Sequence, residues 1–423
     1  MSAAGLEVGT QPVETKRTGR QRFTPAQWAL VAAGAIAVLS LLRIITGAED
    51  IDSSGAISAA IGLAVPIALA GLGGLWSERA GVVNIGLEGM MILGTWFGAF
   101  FAIHAGAWMG IVGAIVGGVL GGVIHAVATV IFGVDHIVSG VALNIIGLGA
   151  AKYLAARFFS DLPGGGPTQS PPLPNLPTVT IPGLSDALGT VEKQQWFFIS
   201  DLAGILRALC TNVSVLTILA VLLFVATFWV LWRTAFGLRL RSCGESPVAA
   251  ETLGVNVIRY KFLAVLVSGG LAGLGGGYLS LVAANIYRDG QTGGRGFIAL
   301  AAMIFGNWRP GGLLAGSGLF GYTDAVQLRG GGETVHAFLL LFAVLLLAIG
   351  VWQIVKRGNA VQGGIAIVVG VFTGLWYALT ETVPAELTGM TPYVTTLLVL
   401  AFASQRLRMP AADGQVYRKG EAS

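Results

Sequence analysis

Apolar runs of membrane-spanning length recur along almost the whole chain. They fall near residues 27–47, 56–75, 82–104, 108–132, 137–158, 211–233, 260–284, 295–307, 310–328, 335–355, 361–380 and 391–404. A bilayer interior is about 30 Å thick, so about 20 helical residues cross it. With no water inside, every backbone polar group there must be bonded within the protein, which leaves helices or closed barrels. Runs this long and this unbroken select helices. Only 11% of the 423 residues are charged, against about a quarter in soluble domains. We therefore expect an all-α integral membrane protein of about twelve spans. The run at 295–307 is short, and the polar stretch at 76–81 blurs the second-to-third junction.

The basic residues orient the bundle. Lys16, Arg17, Arg20 and Arg22 place the N-terminal tail (1–26) on the cytoplasmic side, because Lys and Arg in short loops favour that side. Counting spans from there puts Arg233, Arg239, Arg241, Arg259, Lys261, Arg309, Lys356 and Arg357 inside as well. The C-terminal tail (405–423), with Arg406, Arg408, Arg418 and Lys419, also falls inside, and Glu381 and Glu386 fall outside. No small-residue cleavage site follows the first run, so it reads as an uncleaved span in the cell membrane. The net charge of +4 needs no nucleic-acid partner. Cys210 and Cys243 flank one span, which keeps them apart.

Two loops stand out. The external one, 160–210, carries seven of the chain's 15 prolines between 163 and 182 and predicts an extended surface loop with a short amphipathic stretch near 194–208. The internal one, 234–259, reads TAFGLRLRSCGESPVAAETLGVNVIR, and its centre predicts a short helix. Gly113, Gly117 and Gly121 recur every four residues, as do Gly269, Gly273 and Gly277. Such stripes let helices approach closely in lipid. GGLAGLGGG lies within a span with no strand before it, so packing outweighs a phosphate-loop reading.

The sequence also repeats itself. GVVNIGLEGMMIL from Gly81 lies over GRGFIALAAMIFG from Gly294, and LGGVIHAV (120–127) lies over LFGYTDAV (319–326). The copies begin an odd number of spans apart, so they should be inverted, a pattern that in transporters points to a midplane pathway. The polar cluster Ser77, Glu78, Arg79, Asn84 and Glu88 sits where the first copy begins. Glu88 is either a buried acid bonded to a neighbouring helix or an acid lining a pathway. Asn84 at i−4 is expected to share its face, and Glu78 with Arg79 to form an ion pair near the inner surface.

A transporter needs an energy source. None of the six lysines is followed by Ser or Thr, which excludes a G-x-x-x-x-G-K-[ST] phosphate loop. A passive facilitator, an ion-coupled secondary transporter and the membrane half of an ATP-driven system stay open. GESPVAAETLGV suits docking into a cleft of a separate motor protein, with small Ala249 and Ala250 at the contact, Gly254 ending the helix and Glu245 before it.

Five blocks carry a family resemblance: SERAGVVNIGLEGMM (77–91), DHIVSGVALNIIGLG (135–149), GESPVAAETLGVNVIRYKFLAVLVSGGLAGLGGGYLSL (244–281), GGRGFIALAAMIFGNWRPGGLLAGSGLFGYTDAVQLR (293–329) and MTPYVTTLLVLA (390–401). Together they resemble the permease subunits of bacterial ATP-binding-cassette (ABC) importers for branched-chain amino acids, simple sugars and nucleosides, and within that group the shorter permease of nucleoside systems. The resemblance implies a ten-span core of inverted repeats, with 333–384 as a two-span insertion in a transmembrane domain of 27–404. It implies a route lined by Asn84, Glu88, Asn144, Arg295 and Phe297, and a coupling loop containing Gly244, Glu245, Ala249, Ala250 and Gly254. Val248 stands where the general coupling motif has Glu. The implied partners are a second permease chain, a cytoplasmic ATPase that binds ATP, and an extracytoplasmic substrate-binding lipoprotein. No catalytic residue, metal or cofactor is expected of the chain itself. A nucleoside is the expected solute, with a simple sugar or a branched-chain amino acid as the alternative.

Overall fold

A computed structural model describes residues 24–392, 394–397 and 407–420. The helices are α1 (Pro25–Thr46), α2 (Ser54–Arg79), α3 (Leu87–Ala105), α4 (Ala107–Ala126), α5 (His136–Phe158), α6 (Leu184–Glu192), α7 (Ile199–Cys210), α8 (Val215–Arg233), α9 (Ala235–Glu245), α10 (Pro247–Thr252), α11 (Val257–Tyr278), α12 (Arg295–Phe305), α13 (Pro310–Ala325), α14 (Gly331–Arg357), α15 (Ala360–Leu379) and α16 (Ala385–Thr388). Among the described residues, nine stretches are long and apolar enough to cross a membrane. One of them, Pro310–Arg357, holds both α13 and α14, which meet at a π-helical turn, Val326–Gly330, and at Gly331 with φ +51°. Eleven of the twelve predicted runs coincide with helices. The run at 391–404 lies largely outside the described residues. The short run is a half-helix: α12 has 11 residues, or about 16 Å of rise.

The bundle has two ends. At one, the 160–210 segment is only partly the extended loop its prolines predict. Prolines fill 163–182, but α6 and α7 follow, and a two-residue antiparallel pair, Thr178–Val179 with Val213–Ser214, ties the segment down. Glu192 at the end of α6 accepts from the Ser54 N–H (2.8 Å) and from Arg207 (2.7 Å), which satisfies the first turn of α2. At the opposite end lie α9, α10 and residues 407–420, here called the tail end. Cys210 and Cys243 sit at opposite ends of α8, both as free thiols.

The centre is built on glycine. α2 and α11 run antiparallel, with Gly73 against Ser268 and Gly275 against Pro66. α4 and α11 are antiparallel too, with Ala114, Gly118 and Gly122 meeting Gly277, Gly273 and Gly269. A Cβ at Gly118 would lie 2.1 Å from the Gly269 carbonyl, so backbones touch. The other predicted stripe faces elsewhere: Gly113, Gly117 and Gly121 receive Phe101, Phe97 and Met90 of α3. α4 is thus smooth on two sides, which buries it between α3 and α11. α14 and α15 stay at the periphery and present Phe372, Leu379 and Val361 outward, as a lipid-facing hairpin should.

The repeat is visible in the backbone. α2–α3–α4 corresponds to α11–α12–α13, and the antiparallel α2 and α11 make the copies inverted. Gly81 and Gly294, matched in the sequence, both adopt left-handed φ (+82° and +79°). π-helical turns begin at Val127 and Val326, a matched pair. The copies differ at the start of their second helices: α12 begins directly after Gly294, whereas α3 begins only at Leu87, after a non-helical 81–86 turn. The predicted run from 82 therefore starts late.

Candidate functional site

The site grows from the start of one helix, α12, aimed at a carboxylate in the first turn of another, α3. The first backbone N–H groups of a helix lack partners and carry partial positive charge. Glu88 lies in the first turn of α3 and reaches the start of α12, where its two oxygens accept from the Gly294 N–H (3.0 Å) and the Gly296 N–H (2.6 Å). Gly296 has no room for a side chain, since a Cβ would sit 2.5 Å from the Glu88 nitrogen. Both readings of Glu88 made it a buried acid or a pathway acid; it is buried, at 7% exposure, and it joins the two repeats.

Side chains from three helices hold the 81–86 turn beneath it. Asn144 of α5 accepts from the Gly89 N–H (2.8 Å) and donates to the Ile85 carbonyl (3.0 Å). His125 of α4 contacts Ser139 (2.9 Å) and the Val83 carbonyl (3.1 Å), and His136 Nδ1 accepts from the Val83 N–H (3.3 Å). Asn84 donates to Ser268 Oγ of α11 (2.8 Å). Since 81–86 is not helical, the i−4 expectation for Asn84 and Glu88 fails: Asn84 faces α11 and Glu88 faces α12. His136 and Ser268 were not singled out from the sequence. The Asp-His pair opening the 135–149 block was the available signal for His136, whereas a serine in a glycine-rich span offers none.

Arg295 sits one residue beyond the shared carboxylate. Its Nη2 lies 3.4 Å from Asp324 Oδ2, and its Nη1 donates to the Thr292 carbonyl (3.2 Å). Phe297 is 48% exposed, and Asn144 and Arg295 are half-buried. Of the five residues expected to line a route, these three are reachable. Asn84 and Glu88 are buried.

At the tail end, Glu78 and Arg79 do not pair with each other. Glu78 accepts from the Trp308 indole N–H (2.5 Å), and Arg79 donates to the Trp308 carbonyl (2.6 and 3.0 Å), with Glu245 3.8 Å away. Both clamp the α12–α13 turn, where Asn307 and Trp308 hold left-handed φ of +55° and +52°. That conformation costs roughly 1–2 kcal/mol in a residue with a side chain, and the bonds from α2 offset it. Opposite charges adjacent in sequence diverge on a helix, which explains why the expected pair does not form.

The predicted 244–254 helix is divided. Gly244 and Glu245 end α9, Ser246 breaks it, and α10 starts at Pro247, where the fixed φ of proline suits a first turn. Gly254 follows at φ +83°, and the Val255 N–H bonds back to the Ala250 carbonyl (3.0 Å), a left-handed helix stop. The two alanines point different ways. Ala250 is buried against Cys243 and Val257 of its own chain, whereas Ala249 is exposed. Leu253 projects from α10 at 84% exposure. Glu245 does not cap α10; it accepts from the Ala411 N–H (3.3 Å). Burial pushes the Cys243 thiol up to about 11.

A family model described as branched-chain amino acid transport system / permease component matches residues 56–350. The chain is 35% identical to the guanosine ABC transporter permease NupQ of Bacillus subtilis over 318 residues, 72% of this chain and 93% of that one. It is 32% identical to the nucleoside ABC transporter permease NupC of Lactococcus lactis, over 84% of this chain and 94% of the relative. A putative glucose ABC transporter permease of Haloferax volcanii is also 32% identical, over 87% and 98%. No solved structure matches significantly.

Proposed function

The chain belongs to the branched-chain amino acid transport system / permease component family and is a multi-span permease subunit, and we propose that it forms one half of the membrane channel of an ABC importer for nucleosides. The observation that carries this reading is Glu88, in the first turn of α3, bonded to the start of α12, a polar junction at the meeting of inverted repeats, where transporter substrate sites lie. Phe297, Asn144 and Arg295 line the route, with an aromatic face and amide and guanidinium donors suited to a base and a ribose. Asn84 and Glu88 set its shape. The nucleoside assignment draws on the relatives named for guanosine and nucleosides; the glucose relative supports a simple sugar as the second reading.

A second permease completes the channel, and ATP is hydrolysed on a separate cytoplasmic ATPase that meets α10 through Ala249, Thr252 and Leu253. A substrate-binding lipoprotein delivers solute to the α6–α7 end. This places the tail end in the cytoplasm, in agreement with Arg239, Arg241, Arg259, Arg309 and Arg408 around it. Reconstitution tests the reading. The chain with its second permease and ATPase in proteoliposomes should accumulate guanosine only when ATP and the lipoprotein are present. Accumulation by the chain alone under a sodium or proton gradient would overturn it.

A further inference from the structure

Residues 410–417 bind the underside of the site as closely as any of its helices do. The Ala412 N–H donates to the Gly244 carbonyl (2.9 Å), beside the Ala411–Glu245 bond at the end of α9. Asp413 is buried beside Glu78, Lys261 and Arg79. Gly414 packs on Val83 and Val416 on Gly133. Tyr417 Oη donates to Glu251 Oε2 of α10 (2.5 Å), and its ring joins Cys243, Ala250 and Val257. Nothing can wedge between these parts: a Cβ on Gly81 would lie 3.1 Å from both the Ala412 carbonyl and Gly244 Cα.

α10 has six residues, too few to hold a helix by propensity alone. Its orientation therefore comes from what it packs against. One short segment grips α10 at Tyr417 and the 81–86 turn at Ala412 and Gly414, and that turn leads directly to the residues bound to Asn144 and Glu88. We infer that residues 410–417 are a positioning strap that carries a displacement of α10 to the 81–86 turn, and so to the junction at Glu88. The inference rests on the reading of α10 as the ATPase contact.

The test uses the full chain assembled with its second permease and ATPase in nanodiscs, carrying Phe297→Cys as a reporter in every arm. The labelling rate of that thiol is compared between nucleotide-free and vanadate-trapped complexes. We expect a difference in the parent and, with Tyr417→Phe, a retained ATPase but a difference smaller by at least about fivefold, the scale of a lost coupling. Asp413→Ala should act likewise, while Asp413→Asn, which keeps the side chain's shape and can donate to Glu78, should restore the parental difference. Tyr417→Phe with the parental difference overturns the strap, even if less complex is recovered, because a merely structural contact changes yield and not coupling. A parent thiol blind to nucleotide also overturns it. Leu253→Asp separates the two readings: loss of the ATPase supports α10 as the contact, and its retention strikes that contact and the strap together.

Discussion

Glu88 ties the first turn of α3 to two N–H groups at the start of α12, so its removal should loosen both helices. Glu88→Gln keeps the shape but replaces a charged acceptor with an amide whose NH2 faces a backbone N–H; about 1.5–3 kcal/mol should be lost, read as a lower unfolding temperature in detergent with slower uptake. An unchanged unfolding temperature would contradict the geometry. Gly118→Ala should destabilise by about 1–3 kcal/mol through overpacking, whereas Gly149→Ala, with nothing within 4 Å of the new Cβ, should be close to neutral in the same melt. At Asp413, burial pushes the carboxyl from 3.8 up to about 7, with Glu78, Lys261 and Arg79 facing it. A raised value in the folded state means the docked strap favours the protonated acid. Its contribution is complete below the unfolded value of 3.8 and is lost as pH rises through about 7. Hydrogen exchange over 411–417, corrected for intrinsic rates, should show protection falling across that window, and Asp413→Asn should flatten the profile.

Single elements show what a pattern of residues can and cannot announce. Helix α10 was legible because Pro247 and Gly254 bracket it, and both act through local backbone geometry. The division at Ser246 and the inward turn of Ala250 were not, because they depend on Cys243, Val257 and Tyr417, which the fold alone brings together. For this reason a tryptophan at Ala250 would disrupt the chain's own packing and report nothing on docking. Leu253→Asp is the informative change: ATPase retention in pull-downs should be lost while unfolding stays within about 0.5 kcal/mol of the parent, as at other exposed sites. The glycine stripes were legible as smooth faces, but their partners were not, since spacing every four residues states that a helix approaches without saying which. Asn84 and Glu88 misled because i and i−4 share a face only if helix lies between them, and the backbone of 81–86 bonds to α4 and α5 while Asn84 bonds to α11.

Over the whole molecule, eleven of the twelve runs were readable as helices from apolar length, and the inverted repeat from matched residues. The clamp on Trp308 and the folded tail were not, because both join residues more than a hundred positions apart. Topology follows as a measurable statement. Thr180→Cys, on the α6–α7 segment, should react with an impermeant maleimide in intact cells, and Thr252→Cys only after the membrane is opened. Cys243, buried with its thiol pushed up to about 11, should stay silent as background. Reaction of Thr252→Cys in intact cells would invert the assignment. The junction at Glu88 has one more consequence. Most seams in this bundle are dry and made of touching backbone, so parting them would strand apolar surface. The seam between α3 and α12 adds to its backbone contact at Gly296 a carboxylate on amide N–H groups, and water can take over each of those bonds. Parting the repeats along this line would exchange bonds to Glu88 for bonds to water, a smaller loss than exposing an apolar face.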